Sequence, residues 1–362
     1  MPCHKVMNNR KEIKYLVAVF LAIIIPLMVC QLYYEIRVRP RLINFQKLQE
    51  LINGDAHPEV VILSDSVGFD GIVRSELPKN FFDMTIGGTS FRYQYALLSA
   101  MLRAKKSVKI IVLSLGDYSI GDGRSADSSS IDDHIAYAKK DELAKVYSFT
   151  NTQYYRAWIN HFIFMMNPIQ TANFWGSLKN DMISLLGQEV SRETYLDKCL
   201  DNARGPHVDW LNRTREEQIR IMDYQFNDKL AGNLANPEMI DVLDQMLKLA
   251  ADNGVEVVGV YFPTLQDWDI YLKKYDHELP RRIYQGKIHR IFDYSELYKK
   301  QPEMYSYDHW HLNRQAAKTL TKKLAKDISE AYEVRLDDRT GCQKSEEEKN
   351  EYKWPYLQYL QK

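Results

Sequence analysis

Residues 59–72 read EVVILSDSVGFDGI. Val60, Val61, Ile62 and Leu63 form an apolar, β-branched run that is too short for a helix and fits a buried strand. It stops at Ser64–Asp65–Ser66, where two hydroxyls and a carboxylate offer helix-capping oxygens. The stretch therefore predicts a strand that breaks into a helix at Ser66. A serine at such a break stands exposed, and the backbone N–H groups of the new helix point at incoming negative charge. Serine is also an ordinary capping residue, so this turn alone establishes only strand-then-helix.

The same unit recurs along the chain. FFDMTIGG (81–88) reads as a second strand and turn, followed by a helix from about Ser90 to Arg103, and VKIIVLSLG (108–116) as a third strand. Asn236–Pro237 opens a further helix as N-cap and first-turn proline. Met239, Ile240, Leu243, Met246, Leu247 and Ala250 share one face of it, and Gly254 ends it. VEVVGVYF (255–262) and IHRIFDYS (288–295) give a fourth and a fifth strand. The last helix starts at Asn313, with Ala316, Ala317, Leu320, Leu324 and Ile328 on one stripe. Near-continuously apolar strands alternating with helices predict a parallel sheet covered on both faces. Sites in such sheets lie beyond the carboxyl ends of the strands. That places Ser64–Ser66, Gly87–Gly88, Gly116–Tyr118 and Asp308–His311 on one rim.

YDHWHLN (307–313) concentrates an aspartate and two of the chain's 9 histidines ahead of the last helix. A surface turn accounts for it; so does a base, His311, oriented by Asp308. A serine hydroxyl is a poor nucleophile until a base takes its proton, and the base needs a third group to fix its tautomer. Ser66 is the nucleophile this arrangement requires. His309, adjacent to Asp308, competes as base; the Asp-x-x-His spacing favours His311 and leaves His309 a structural or substrate-contacting role.

Taken together, SDS (64–66), IGGTS (86–90) and DHWHLN (308–313) resemble the serine, glycine and closing Asp-x-x-His blocks of the SGNH (GDSL-like) hydrolase superfamily. More narrowly, DHWHLNRQAAKTLTKKLA and the Gly71–Ile72 pair look like the membrane-anchored SGNH proteins of cell-surface polysaccharide clusters, such as those of alginate O-acetylation and teichoic acid D-alanylation. The resemblance covers roughly residues 58–118 and 236–333. It implies a flavodoxin-like α/β three-layer sandwich with Ser66 as nucleophile, His311 as base and Asp308 as its orienting partner. It also implies oxyanion donors at the N–H groups of Ser66 and Gly88. Two positions depart from the family pattern. Ser64 replaces a glycine, and Tyr118 stands where the third oxyanion donor, an asparagine, is expected. Losing one such donor can cost about 10²–10³ in rate.

Residues 15–34, YLVAVFLAIIIPLMVCQLYY, run without a charge and are long enough, at about 1.5 Å per residue, to cross the roughly 30 Å hydrocarbon core. Pro26 is tolerated in such a helix, and Tyr33 and Tyr34 suit the interface belt. No small-x-small cleavage site follows the run, so a signal anchor is expected in preference to a cleaved signal peptide. Lys5, Arg10, Lys11 and Lys14 against Arg37, Arg39 and Arg41 lean toward a cytoplasmic stub at 1–14. Residues 35–57 then form a juxtamembrane helix and linker, 58–333 the SGNH-like domain, and 334–362 a polar tail. Residues 124–230 fall outside the strand–helix alternation. They read as a helical insert packing its own aromatics, or as a lid or docking surface.

Lys+Arg and Asp+Glu both number 48, so nothing electrostatic points to nucleic acid. Cys3, Cys30, Cys199 and Cys342 lack zinc-site spacing, although a Cys199–Cys342 disulfide is conceivable in an exported domain. GDYSIGDGRSAD (116–127) lacks the spacing of a calcium loop, and no phosphate-cradling glycine pattern occurs. No metal or other cofactor is expected. The resulting expectation is a single-pass membrane protein whose extracytoplasmic domain transfers or removes an acyl group, most simply acetyl, on a surface carbohydrate. A multi-span membrane acyltransferase would be its partner. A membrane-tethered lipase-like or thioester hydrolase is one rival, and a non-catalytic subunit of a polysaccharide-modification complex is another.

Overall fold

The structure, a computed structural model, describes residues 9–39, 43–53, 57–87, 89–104, 107–116, 119–121, 138–163, 168–185, 209–229, 234–269, 278–306 and 308–336. Gly88, Tyr118, Cys3, Cys199, Cys342, residues 337–362 of the tail and the remainder of the insert lie outside the described residues.

The five expected strands form: β1 Val60–Leu63, β2 Phe81–Asp83, β3 Ile110–Ser114, β4 Glu256–Tyr261 and β5 Arg290–Asp293. All pair in parallel, in the order β2-β1-β3-β4-β5. This is a doubly wound sheet whose direction of winding reverses between β1 and β3, and the crevice at such a reversal is where ligands bind. Ser66 leaves the end of β1 at that point.

Among the described residues there are twelve helices. They are α1 Asn9–Tyr33, α2 Ile43–Asn53, α3 Ser66–Gly71, α4 Phe91–Ala104, α5 Lys140–Leu143, α6 Asn151–Phe162, α7 Pro168–Leu185, α8 Asp209–Asn212, α9 Arg215–Lys229, α10 Pro237–Asp252, α11 Glu278–Lys287 and α12 Arg314–Tyr332. Successive side chains of a strand point to opposite faces, and the core divides accordingly. Val61, Leu63, Phe82, Ile111 and Leu113 face a layer that includes Leu51 of α2, Leu97 and Met101 of α4, Leu243 and Met246 of α10, and Tyr284 of α11. Val60, Ile62, Phe81, Ile110, Val112, Val258 and Val260 face Val67 of α3 and Ala316, Ala317, Leu320 and Leu324 of α12. Each fully buried aliphatic side chain contributes about 1.5–3 kcal/mol, so these two layers, rather than surface ion pairs, hold the sheet together.

Local capping explains the helix limits. The Asn236 side chain accepts the Glu238 N–H at 2.8 Å, and Gly254, at φ 69°, supplies the left-handed residue that stops α10. The Asn313 side chain caps α12 by accepting the Ala316 N–H at 3.0 Å.

The stretch Lys14–Val38 is long and apolar enough to cross a membrane, and its side chains from Tyr15 to Leu32 are largely exposed. The helix runs through Pro26 and ends in a π-helical turn, Tyr34–Val38. Cys30, within it, is a free cysteine. Past it, α2 is built into the covering layer of the sheet through Leu48 and Leu51.

The described parts of the insert divide between three places. Leu143, Val146, Tyr147 and Ala157, in and around α5 and α6, join the core beside α4. There Arg92 donates to the Val146 carbonyl at 2.9 Å and lies over the Tyr147 ring. Helix α7 packs on the foot of α1, where Phe174 clusters with Tyr34 and Val38. Helices α8 and α9 close over the turn that precedes α12, as detailed below.

Candidate active site

The turn at the end of β1 is built by its own side chains. Asp65 is the N-cap of α3, its carboxylate accepting the Val67 N–H at 3.1 Å. The Ser64 hydroxyl accepts the Gly68 N–H at 3.1 Å. These two contacts occupy the Val67 and Gly68 donors and leave the Ser66 N–H as the first-turn donor that neither side chain takes. Ser64 and Gly68 are a matched pair: a Cβ at position 68 would stand 2.1 Å from Ser64 Oγ and 2.3 Å from Ser64 Cβ. Ser64 is therefore accommodated by a glycine one turn later. Gly71 does the same for Phe262, whose ring would lie 2.9 Å from a Cβ there. The Ser66 side chain is half-buried at the start of the helix. The glycine turn after β2 comes up beside it, with the Cβ direction of Gly87 ending 4.0 Å from Ser66 Cβ.

The turn carrying Asp308 and His311 is clamped at its base. Tyr305 and Leu312 form an antiparallel bridge, Ser306 N–H donates to His311 O at 2.8 Å, and Asn313 N–H donates to Met304 O at 2.9 Å. The Asn313 amide adds a 2.6 Å bond to Glu303 O while its oxygen caps α12. Within the clamp Asp308 Oδ1 accepts the backbone N–H of Trp310 (3.1 Å) and of His311 (2.9 Å). Asp308 Oδ2 lies 2.7 Å from His311 Nδ1. This fold-back makes the Asp-x-x-His spacing work: the carboxylate fixes the backbone and the imidazole together.

His311 points its other nitrogen at α3. Nε2 is 4.0 Å from Asp70 Oδ2, and Asp70 follows Ser66 by one helical turn, on the same face. Among the described residues no hydrogen bond joins Ser66 to His311; such bonds are often long before substrate is bound. Helix α12 is held to the segment after α3 by a 2.9 Å bond from Val73 N–H to Thr321 Oγ1.

Two groups at this site were not foreseen from the sequence. Gln225 of α9 donates from Nε2 to Asp308 Oδ2 at 2.9 Å. Asp70 lines the approach to Nε2, a position visible in the sequence only as an acidic residue one turn after Ser66. His309, the competing base, is buried with its ring centroid 4.4 Å from that of Trp310 and 6.2 Å from that of Trp210. It packs between two indoles, and Asp308 addresses His311 instead.

Asp308 is fully buried, and burial pushes its carboxyl upward. The charge and hydrogen bond of His311, then the charge of His309 and the Gln225 amide, outweigh that and hold it well below the usual carboxylate range. The carboxylate therefore remains ionised at neutral pH, as the orienting member of a proton path requires.

Of the residues expected on the rim, Ser64–Ser66, Gly87, Gly116 and Asp308–His311 are described. Ser66, Gly87, Asp308 and His311 converge as above. Gly116 is tied through its carbonyl to the Tyr284 hydroxyl at 2.9 Å. Gly88 and Tyr118, the other expected oxyanion donors, lie outside the described residues. No group of His, Cys, Asp and Glu able to hold a metal ion occurs among the described residues. The sequence matches no known protein-family model and no curated protein.

Proposed function

We propose that this chain is an SGNH-type O-acyltransferase or esterase, which transfers an acyl group to, or hydrolyses one from, a cell-surface carbohydrate through an acyl-Ser66 intermediate. The observation that supports this reading best is the Asp308–His311 pair, set 2.7 Å apart and aimed at the helix that Ser66 opens. In the first step Ser66 Oγ attacks the acyl carbonyl and His311 Nε2 takes the hydroxyl proton. Asp308 stabilises the imidazolium, and the Ser66 N–H, with Gly88 N–H and the Tyr118 hydroxyl, receives the developing oxyanion. Collapse of the tetrahedral intermediate breaks the acyl C–O bond, and the leaving alcohol takes the proton back from His311. The acyl-Ser66 ester is then attacked by a sugar hydroxyl (transfer) or by water (hydrolysis), His311 accepting the attacking group's proton and returning it to Ser66 Oγ as the acyl–Oγ bond breaks. Residues 15–34 anchor the chain, the basic residues flanking them lean toward an outward-facing domain, and the resemblance to polysaccharide O-acylation proteins makes a multi-span acyltransferase the expected partner.

One experiment addresses chemistry and orientation together. A membrane-impermeant fluorophosphonate applied to intact cells is expected to label Ser66, identified by peptide mass spectrometry. Labelling only after lysis would reverse the orientation. No labelling of the folded full-length chain under either condition would remove the acyl-serine reading.

Gln225 gives a second prediction. Gln225→Ala removes one of the donors to Asp308 Oδ2 but leaves the imidazole and both backbone bonds in place. A neutral side-chain donor of this kind is worth about 0.5–1.5 kcal/mol, rising to about 3 when the acceptor is charged. The second-order labelling rate should fall by roughly 3–100-fold, while Gln225→Glu, which sets a second carboxylate against Asp308, should fall further. Equal rates in wild type and both variants would show that α9 plays no part in holding the base.

A further inference from the structure

We propose that α7, Pro168–Leu185, is an interfacial membrane helix: it lies at the bilayer surface with Trp175 and Met182 in the boundary between headgroups and acyl chains. The proposal rests on the reading of α1 as a membrane span and adds a second lipid contact to it.

Three observations carry it. The first is where α7 is fixed. The Phe174 ring meets the Tyr33 ring edge-on at 5.5 Å, and Phe174 and Leu178 pack with Cys30, Tyr34 and Val38. Asp181 accepts a 2.9 Å bond from the Tyr33 hydroxyl and a 3.4 Å contact from Arg37 Nε. The helix is thereby held at the last turn of the apolar span and the turn beyond it, the level at which Tyr33 and Tyr34 enter the interface belt.

The second is which side chains that placement leaves uncovered. At 100° per residue, Phe174, Leu178 and Asp181 fall on the face used against α1. Trp175, Lys179 and Met182 fall together on the adjacent face. Trp175 is 62% exposed and Met182 58% exposed, with Lys179 also exposed between them. A tryptophan and a methionine left outside the core are unfavourable in water, whereas an indole with an apolar body and a polar N–H is at home at headgroup depth. Lys179 can lay its methylenes along the same surface and lift its ammonium to the phosphates.

The third is continuity. The exposed apolar surface of α1, which includes Met28, Val29 and Leu32, lies within one or two turns of the Tyr33–Phe174 contact. The bilayer that covers the former reaches the level of the latter. A helix docked on the foot of the span and touching lipid through Trp175 and Met182 fixes the rotation of the domain about the span, and with it the height and direction of the rim carrying Ser66 above the membrane.

The test uses the full-length chain in vesicles of zwitterionic and anionic phosphatidyl lipids brominated high on the acyl chain. The Trp175 signal is the difference between wild type and Trp175→Phe, a replacement that preserves a ring at an exposed position. Bromolipid should quench most of this component and aqueous iodide little of it. The corresponding component of Trp158, exposed on α6, should respond to iodide instead. Carbonate extraction reads α1 independently. Retention in the membrane with Trp175 quenched by iodide and not by bromolipid would overturn the proposal and leave the anchor intact. Retention with Trp175 quenched by neither would overturn it as well, placing the indole against protein. Release by carbonate would remove the span and the proposal together.

Discussion

Ser66→Ala is expected to abolish acyl-enzyme formation, and His311→Ala to lower turnover of an activated acyl ester by about 10³-fold or more, by analogy with other serine triads. On the proposed mechanism the second loss is as large as the first, because the two side chains would serve one event. Without His311 the serine proton has nowhere to go, and without Ser66 the base has nothing to activate. The double variant should therefore be barely slower than either single one, whereas independent contributions would multiply. Asp308→Asn leaves both backbone acceptor contacts possible but turns a carboxylate into an amide opposite His311 Nδ1, now 2.7 Å away, and favours the wrong tautomer. Its loss should be similar or somewhat smaller. His309→Ala removes a ring packed against Trp210 and Trp310, so its effect belongs in thermal stability more than in the rate of the folded fraction. Undiminished fluorophosphonate labelling in His311→Ala, with loss in His309→Ala, would reassign the base. A Ser66→Ala chain that fully supports the cellular process would assign the protein to the non-catalytic class.

Sheet and helices were legible because the signals are local. Val60–Leu63, Ile110–Ser114 and Glu256–Tyr261 are apolar enough to be recognised as buried parallel strands, and Asn236 and Asn313 mark helix starts by their own side chains. The Asp308–His311 pair was legible for the same reason, since its geometry is contained in a four-residue turn. What the sequence hid is set by distance along the chain. Gln225 reaches Asp308 across 83 residues, and nothing in REEQIRIMDYQFNDK singles it out from the other polar residues of a solvated helix. The insert likewise looked like one cap, because the separate surfaces that receive its helices are formed by elements far away in sequence. Juxtamembrane residues 43–53 concealed the most, since a lysine in an amphipathic helix ordinarily marks the solvent side.

Lys47 is that residue, and its replacement is the change expected to cost the most stability. Its side chain is completely buried, with Nζ 2.9 Å from Asp83 Oδ2 and 2.8 Å from Thr85 O. Asp83, equally buried, uses Oδ1 to hold the Thr85 N–H at 2.9 Å and its hydroxyl at 2.6 Å. The pair joins α2 to the end of β2, three residues before the glycine turn beside Ser66. Phe69, in the helix that Ser66 opens, lies under the ammonium, 5.3 Å from its ring centroid. Removing one partner strands the other charge in the core, at a cost of about 3–5 kcal/mol. For a domain of this size that lowers the melting temperature of Lys47→Met by roughly 5–9 °C.

The two single variants should then part company with pH. Burial pushes the Lys47 ammonium below its ordinary range, and the charge and hydrogen bond of Asp83 oppose that shift. A lysine depressed in the folded state binds fewer protons there than in the unfolded chain, so its contribution to stability improves as pH rises through the folded value toward the unfolded one. Asp83→Asn takes away the opposing charge and deepens the depression, so its deficit relative to wild type should shrink between neutral pH and pH 9. The deficit of Lys47→Met should not shrink, because a stranded carboxylate is relieved by acid and not by alkali. The double variant Lys47→Met/Asp83→Asn should melt well above Lys47→Met, since no buried charge remains. Parallel pH profiles for the two single variants would show that the pair is not held as ammonium and carboxylate in the folded protein.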